Sequence, residues 1–559
     1  MAKTAAKRKK PLDLKKLGVK LEDFEVKPEL TPRELSIQQR QKKKNQQQFI
    51  NNFVLALSLG IVIGAVLFFV KDEKLAIAGG GGILVLMMSF NYPYLALWAF
   101  TIYMPFAGTI TYWIGGGSPI FQLAKDGFAF PAYISIQKEL KRKKLPFVLP
   151  SLDQALKITS IVLAVIFLCT NIAQQFSGDP KGKPIIMGLF GIKVLLGYFP
   201  LITCTYHLIK TKTELLWFTR LHVLLAITCC SLGILQYQML SSGACQNTDH
   251  LVGDALFKAT IEYKCLVGGS LVFSPSQNMI RLPGTFVAPW QWAWFLIGNT
   301  FTTFATTFSD SSIKWRLVGF FGLSLVFVNA VISGQRIALF LVPLIVVALL
   351  ILTGQLSKPK TFIPIVGGIS SLIFLSFILF PDVMQERIDS AVGRWNASPP
   401  TEFISEQAGH STGSFKVFGN GLGRATNAAR AFGESALIET YYPKLIHEMG
   451  IGTLVYAGFL TAITVATFKA YRSLQDKNLR SYGACFWVFI LFISYNTYYY
   501  PLDVDPVAVY YWVFAGLIFR LPVIDNQESE RNEKIIQRIE NLLATKQLKN
   551  YMKLLQKTK

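Results

Sequence analysis

About fourteen apolar runs dominate the chain, at 51–70, 75–91, 93–107, 119–136, 155–175, 184–208, 215–238, 287–308, 315–332, 337–353, 361–380, 449–468, 482–499 and 505–521. Roughly 20 apolar residues in a helix cross the ~30 Å hydrocarbon layer of a bilayer. Inside that layer every backbone N–H and C=O must be satisfied internally, which a helix does on its own. The runs therefore predict an all-α polytopic membrane protein with about 12–14 transmembrane helices. A β-barrel would show alternating segments of about ten residues instead. Composition agrees, with 52% of the 559 residues hydrophobic and only 16% charged, against about 25% charged in soluble domains. A disordered chain needs low hydrophobicity and is excluded. Two runs are weaker than the rest. Run 93–107 is short, and run 119–136 contains Lys125 and Asp126, which are costly in lipid unless paired or turned toward protein. Gly79 to Gly82 open the second run, where small residues allow close helix packing.

Charge sets the expected orientation. The formal net charge is +23, and residues 1–49 alone hold 14 Lys/Arg against 6 Asp/Glu, including Lys7 to Lys10 and Lys42 to Lys44. Basic segments stay in the cytoplasm. With this tail inside, the basic loops Lys138–Lys144, Lys210–Lys212, Lys358–Lys360 and Lys469–Arg480 all fall on the same side. The tail beyond residue 520, with 8 Lys/Arg and 5 Asp/Glu, joins them. The expected organisation is a basic cytoplasmic tail at 1–49, a membrane domain at 50–521 and a cytoplasmic tail at 522–559. Ile535, Ile536, Ile539, Leu542 and Leu543 have helical spacing and predict an amphipathic helix over 526–556. No secretory signal peptide is expected, because the first 49 residues are too long and polar for its leading region. The basic tails suit anionic membrane lipid, and nucleic acid is not an expected partner.

Two long loops, 239–286 and 381–448, and the short turn Ser333-Gly-Gln-Arg336 are then expected on the outer side, the second loop between spans eleven and twelve. Loops carry function more often than the scaffold does. Of seven cysteines, Cys245 and Cys265 share the first outer loop, where an oxidising compartment favours a disulfide. The other five lie in or near spans, as small packing residues. The five histidines make no His-Glu-x-x-His motif, and no phosphate-binding Gly-x-x-x-x-Gly-Lys segment occurs. An ATP-driven pump is disfavoured.

Four outer features occur in order: Arg281-Leu-Pro-Gly-Thr-Phe-Val-Ala-Pro289, Ser333-Gly-Gln-Arg336, Phe418-Gly-Asn-Gly-Leu-Gly423, and Glu439-Thr-Tyr-Tyr442 with His447-Glu-Met-Gly-Ile-Gly452. Over residues 155–520 this order resembles the O-antigen ligase/polymerase (Wzy-type) superfamily of lipid-linked glycan transferases. The resemblance implies a glycosyltransferase of the bacterial plasma membrane, using a polyprenyl-diphosphate glycan donor and a saccharide or lipid acceptor, with no cofactor and no metal. The fourth feature departs from the ligase pattern: Glu439 stands where ligases carry their catalytic His, and His447 lies beside Glu448 instead.

The chemistry has its own rationale. Arginine stays charged and makes bidentate bonds to phosphate oxygens, so Arg281 and Arg336 suit a pyrophosphate whose charge grows as the glycosidic bond breaks. An acceptor hydroxyl needs a base, for which Glu439 and His447 are the candidates. Arg394, Tyr442 and the glycines Gly421 and Gly423 are candidate substrate contacts; the glycines would let backbone approach a sugar closely. Blander roles stand beside each: an interfacial anchor for the arginines, a loop salt bridge for Glu439, a mobile segment around His410, a plain turn for the glycines. A transporter or transport accessory protein, of inorganic carbon among other solutes, is the alternative function. It would be expected to show inverted repeats and broken helices, which are not evident in the sequence.

Overall fold

The computed structural model describes residues 31–544, apart from 178–181, 254–255, 257–260, 275–278, 398, 414, 500 and most of 358–380. Side chains within helices are described except at a few positions, Arg394 and His410 among them. The chain divides into two compact units, Met1–Asn51 with Val523–Lys559, and Asn52–Pro522. The helices are α1 (Pro32–Val70), α2 (Glu73–Asn91), α3 (Pro93–Tyr103), α4 (Ala124–Arg142), α5 (Pro150–Ile166), α6 (Pro184–Leu196), α7 (Leu201–Leu208), α8 (Lys212–Ser241), α9 (Pro289–Ser309), α10 (Ile313–Ile332), α11 (Arg336–Leu352), α12 (Pro381–Ala397), α13 (Pro400–Gly413), α14 (Tyr441–Met449), α15 (Gly452–Arg472), α16 (Lys477–Tyr495) and α17 (Val507–Ala544). Among the described residues, nine helical stretches are long and apolar enough to cross a bilayer. The protein is an all-α integral membrane protein.

Starts and stops follow local chemistry. Proline opens α1, α3, α5, α6, α9, α12 and α13, where its fixed φ and missing N–H cost nothing. Thr31 and Glu34 form a reciprocal cap on α1: Glu34 N donates to Thr31 Oγ1 at 3.3 Å and Thr31 N donates to Glu34 Oε2 at 2.8 Å. Thr211 and Glu214 cap α8 in the same way.

Helix α9 is the centre of the larger unit. It packs on α8, α10, α11 and α16, and every residue from Trp292 to Ser309 is buried. Its five threonines between 300 and 307 lower its hydropathy, yet three of their hydroxyls illustrate why burial is tolerated. Thr303, Thr306 and Thr307 donate to the carbonyls of Asn299, Thr302 and Thr303 at 2.6, 3.0 and 2.7 Å. Small residues bring helices together around the bundle. A Cβ on Gly60 would lie 2.7 Å from the Gly80 carbonyl oxygen, and one on Gly319 would lie 2.9 Å from Thr307 N. Gly80 thus serves the close packing expected of the Gly79–Gly82 run.

Lys125 and Asp126 are paired. Lys125 meets Asp505, while Asp126 meets Lys193 and accepts a 2.9 Å bond from the Tyr198 hydroxyl. The expected span 482–499 ends earlier, at Tyr495, because Asn496 leaves the helical conformation. In the smaller unit, the stretch expected to be a separate amphipathic helix belongs to α17 as far as Ala544, with Ile535 and Ile539 buried. Residues 545–556 lie outside the described residues. The segment 381–448 contains α12, α13 and α14, rather than being loop throughout.

The segment 239–286 contains a two-stranded hairpin, β1 (Val272–Ser274) against β2 (Met279–Arg281), with Val272 opposite Arg281. Cys245 and Cys265 form a disulfide beside it, Cα–Cα 5.6 Å and 20 residues apart in sequence. Cys265 packs with Leu271 and Leu282, and with Cys245 and Ile280 at the margin. Closing a loop of this length contributes about 3 kcal/mol, chiefly by restricting the unfolded chain. The double substitution Cys245→Ser/Cys265→Ser is therefore expected to lower Tm, and the variant's Tm should no longer respond to reductant.

Candidate active site

Arg281 closes the hairpin, and the residues after it explain why it is held there. Gln236, at the end of α8, clamps the next turn: its Nε2 donates to the Cys265 and Gly284 carbonyls at 3.0 and 3.2 Å, and its Oε1 accepts from Gly284 N at 3.0 Å. Gly284 has φ +56°, and the Trp292 ring fills the place of a side chain, so the turn demands glycine. Thr285 donates to the Pro105 carbonyl and accepts from Gly108 N at 3.1 Å. Gly284, Thr285 and Phe286 are thus structural, and Arg281 is the polar side chain they position. Arg281 Nη2 donates to Ser274 Oγ at 2.6 Å, while Nε is buried with no hydrogen-bond partner among the described residues. Burial pushes the guanidinium below its ordinary range, against the attraction of Tyr499 and Glu439.

The Ser333–Arg336 turn lies directly on this hairpin. Leu282 N donates to the Ser333 carbonyl at 3.0 Å. Gly334 has φ +69°, and a Cβ there would lie 2.8 Å from the Ile280 oxygen and 3.3 Å from the Arg281 Cα. Only glycine lets the two segments meet so closely. Arg336 begins α11 and lines a void of about 10 Å³ with Met279, Gly334, Gln335 and Ser390 of α12. That volume is at the lower limit for one water, so the void as it stands is too small for a phosphate.

The segment leading into α14 supplies the carboxylate. Glu439 precedes it, half-buried, with its backbone N–H donating to Gln407 Oε1 of α13 at 3.0 Å. Glu439 and Arg281 feel each other's charge without forming an ion pair. The helix is anchored on three sides. Tyr441 N donates to the Thr497 carbonyl at 2.8 Å, the Tyr442 hydroxyl donates to the Ser494 carbonyl at 2.6 Å, and buried Lys444 pairs with buried Asp503. Burial pushes the Tyr442 phenol up to about 12, so it remains a donor to that carbonyl at neutral pH.

The glycine-rich segment packs on the opposite end of α14. Asn420 N donates to the His447 carbonyl at 2.8 Å and Gly421 N to the Glu448 carbonyl at 3.1 Å. Glu448 is buried, its Oε1 accepting from Ala425 N and Thr426 Oγ1 at 2.7 and 2.9 Å, which makes it the organiser of the loop. Asn171 grips Leu422 through both its amide groups at 2.9 Å, and Gln174 Nε2 donates to the Asn420 carbonyl at 2.7 Å. Gly423 is buried, and a Cβ on it would lie 2.0 Å from the Met187 carbonyl oxygen; Gly421, also buried, has its nearest neighbours at 3.4 Å. At Gly423, therefore, the missing side chain makes room for protein backbone. His447 is half-buried, with Nδ1 3.4 Å from Asn420 Nδ2. Burial lowers its pKa, Glu448 opposes the shift and Lys416 adds to it; the imidazole is neutral at pH 7.

The four sequence features thus form two groups, not one. Arg281, the Arg336 turn and Glu439 gather at the start of α14. His447, Gly421 and Gly423 gather at its end, roughly 10 Å along the helix. Arg394 falls on α12 and His410 on α13, with both side chains outside the described residues. Tyr499 and Gln407 join the first group without having been singled out in sequence. Tyr499 has φ +50°, in a backbone region uncommon for a bulky residue, and lies just past the shortened α16; the run Tyr498 to Tyr500 was its only visible signal. Compared with protein-family models and with curated proteins, the chain matches none.

Proposed function

We propose that the protein is a membrane glycan transferase that moves a saccharide from a polyprenyl-diphosphate carrier to an acceptor hydroxyl at the outer face of a bacterial plasma membrane. In this reading the chain has 12–14 spans and both termini in the cytoplasm, with 239–286 and 381–448 outside. A disulfide in the first of these segments supports that side, because oxidising compartments preserve such bonds. One observation carries the chemistry: a partly buried arginine whose buried Nε has no hydrogen-bond partner among the described residues, within reach of the charge of Glu439, with which it forms no ion pair among the described residues. A buried unsatisfied donor invites a ligand, and a carboxylate nearby supplies a candidate base.

Glu439 takes the acceptor proton as the acceptor oxygen attacks the anomeric carbon. The bond from that carbon to the pyrophosphate oxygen breaks, and the negative charge released is held by Arg281 and Arg336. Deleting the gene and examining surface polysaccharide tests the class. Shortened chains indicate polymerisation, and accumulated lipid-linked chains indicate ligation; unchanged glycans overturn the reading. Glu439→Gln tests the base: transfer should slow sharply while the protein still folds, whereas undiminished transfer removes Glu439 from this role.

The transport alternative rests on the charged residues within the bundle, since ionisable groups there often mark pathways. Lys125, Asp126, Lys193 and Asp505 nevertheless neutralise one another in pairs, which favours a structural role. Altered solute uptake with unchanged glycans in the deletion strain would reverse that preference.

A further inference from the structure

A cavity of about 420 Å³ opens beside the glycine-rich segment, at the end of α14 away from Arg281. Its lining includes Cys169, Gln174, Ser177, Lys416 and Phe418. The volume is within the usual range for small-molecule sites, roughly 300–1,000 Å³. Its wall is fixed rather than collapsible. Gln174 is committed on both sides, donating to the Asn420 carbonyl at 2.7 Å and accepting from Arg424 Nη2 at 2.7 Å.

Two lining side chains, Lys416 and Phe418, are exposed. Lys416 forms no ion pair among the described residues, although its charge reaches His447. Phe418 leaves 43% of its surface exposed. An unpaired cation beside an open aromatic face suits an anionic sugar, whose carboxylate meets the ammonium while the ring's apolar C–H face lies on the phenyl. Partly exposed residues run from the first group toward this cavity. Glu439, Tyr442, Ile446 and His447 are all half-exposed along α14, and their spacing places Tyr442 and Ile446 on one helix face. A few linked sugars span that length.

We propose that this cavity holds an anionic sugar of the acceptor glycan, several sugars away from the hydroxyl that reacts near Glu439. The assignment rests on the transferase reading for the word acceptor; the cavity's preference for an anionic saccharide is tested without turnover. Cys169 lines the cavity and is exposed, whereas the other free cysteines, Cys204, Cys229, Cys230 and Cys485, are buried. Maleimide modification of Cys169 in the detergent-solubilised full chain therefore reports occupancy, with Cys169→Ser as the blank.

Tetragalacturonic acid should slow this modification; at about four times its Kd the rate falls about fivefold, following 1 + [L]/Kd. Maltotetraose, which is neutral, should protect far less. Lys416→Ala and Phe418→Ala should each remove the protection while leaving the unprotected rate unchanged. Protection by inorganic phosphate or by phosphatidylglycerol nanodiscs, but not by the charged saccharide, would assign the cavity to a phosphate or a lipid headgroup and overturn the proposal. Absence of protection by every probe, or protection that survives both substitutions, also overturns it. None of these outcomes bears on Arg281 and Glu439, whose test is transfer itself. If transfer is established, Lys416→Ala should in addition raise the acceptor KM.

Discussion

Arg281→Lys is expected to lower glycan transfer by about 10²–10³-fold, the usual loss when one pre-positioned donor to a developing anion is removed, while the protein still inserts in the membrane and folds. Lysine preserves the charge, so a loss of this size would show that the donor geometry matters. In the structure, Arg281 divides its donors: Nη2 is spent on Ser274 Oγ, and the buried Nε has no hydrogen-bond partner among the described residues. A guanidinium can hold its own loop with one edge and meet a phosphate oxygen with another, whereas an ammonium is a point charge on a flexible stem. The hairpin should tolerate the change, because Gln236, Pro105 and Gly108 fix the residues after Arg281 independently of its side chain. Transfer by purified protein in liposomes measures the effect, and the Cys245–Cys265 disulfide checks that the loop is intact. Arg336→Ala should give a comparable loss, since that residue faces the same hairpin from the first turn of α11. Full activity in both variants would end the pyrophosphate-clamp reading.

The turns that carry the two arginines were legible in sequence because each contains residues with strong local meaning. Gly284 and Gly334 both have positive φ, and glycine before a span marks such turns. Nine membrane-length helices among the described residues were equally legible as apolar runs, since crossing lipid is a demand on consecutive residues, whereas run 361–380 lies largely outside the described residues. The threonine-rich α9 (Pro289–Ser309) falls on the predicted run 287–308. What sequence order does not contain is distance. The motifs around Glu439 and His447 are neighbours along the chain, but a helix between them puts them at opposite ends and divides the expected single site. Partners far apart in sequence were also hidden: Asp505 for Lys125, Lys193 for Asp126, and Asn171 for Leu422. Run 119–136 could be recognised as requiring partners, but nothing local named them. Gln407 and Tyr499 were missed for the same reason, their relevance arising only from the fold around Arg281 and Glu439.

Breaking the Lys444–Asp503 pair should be the most damaging structural change near the site. Both side chains are buried, with exposures of 1% and 6%. Removing one partner of such a pair leaves an uncompensated charge and typically costs about 3–5 kcal/mol. Asp503 is poorly placed to absorb the loss, because its Oδ1 already lacks a hydrogen-bond partner among the described residues. Lys444→Ala is therefore expected to lower Tm sharply. It should also reduce transfer, because the pair is one of three anchors that set the position of α14 and, with it, Glu439; the others are Tyr441 N to Thr497 and the Tyr442 hydroxyl to Ser494. The double substitution Lys444→Met/Asp503→Leu separates charge from packing. Replacing a whole buried pair with apolar groups of similar volume is often neutral or stabilising, so Tm should recover most of the single variant's loss. Transfer should recover with it if the pair only positions α14. Recovery of Tm without recovery of transfer would place the Lys444 charge itself in the reaction, and failure of both would mean that the geometry of this ion pair, rather than burial alone, orients the helix that presents Glu439 to Arg281.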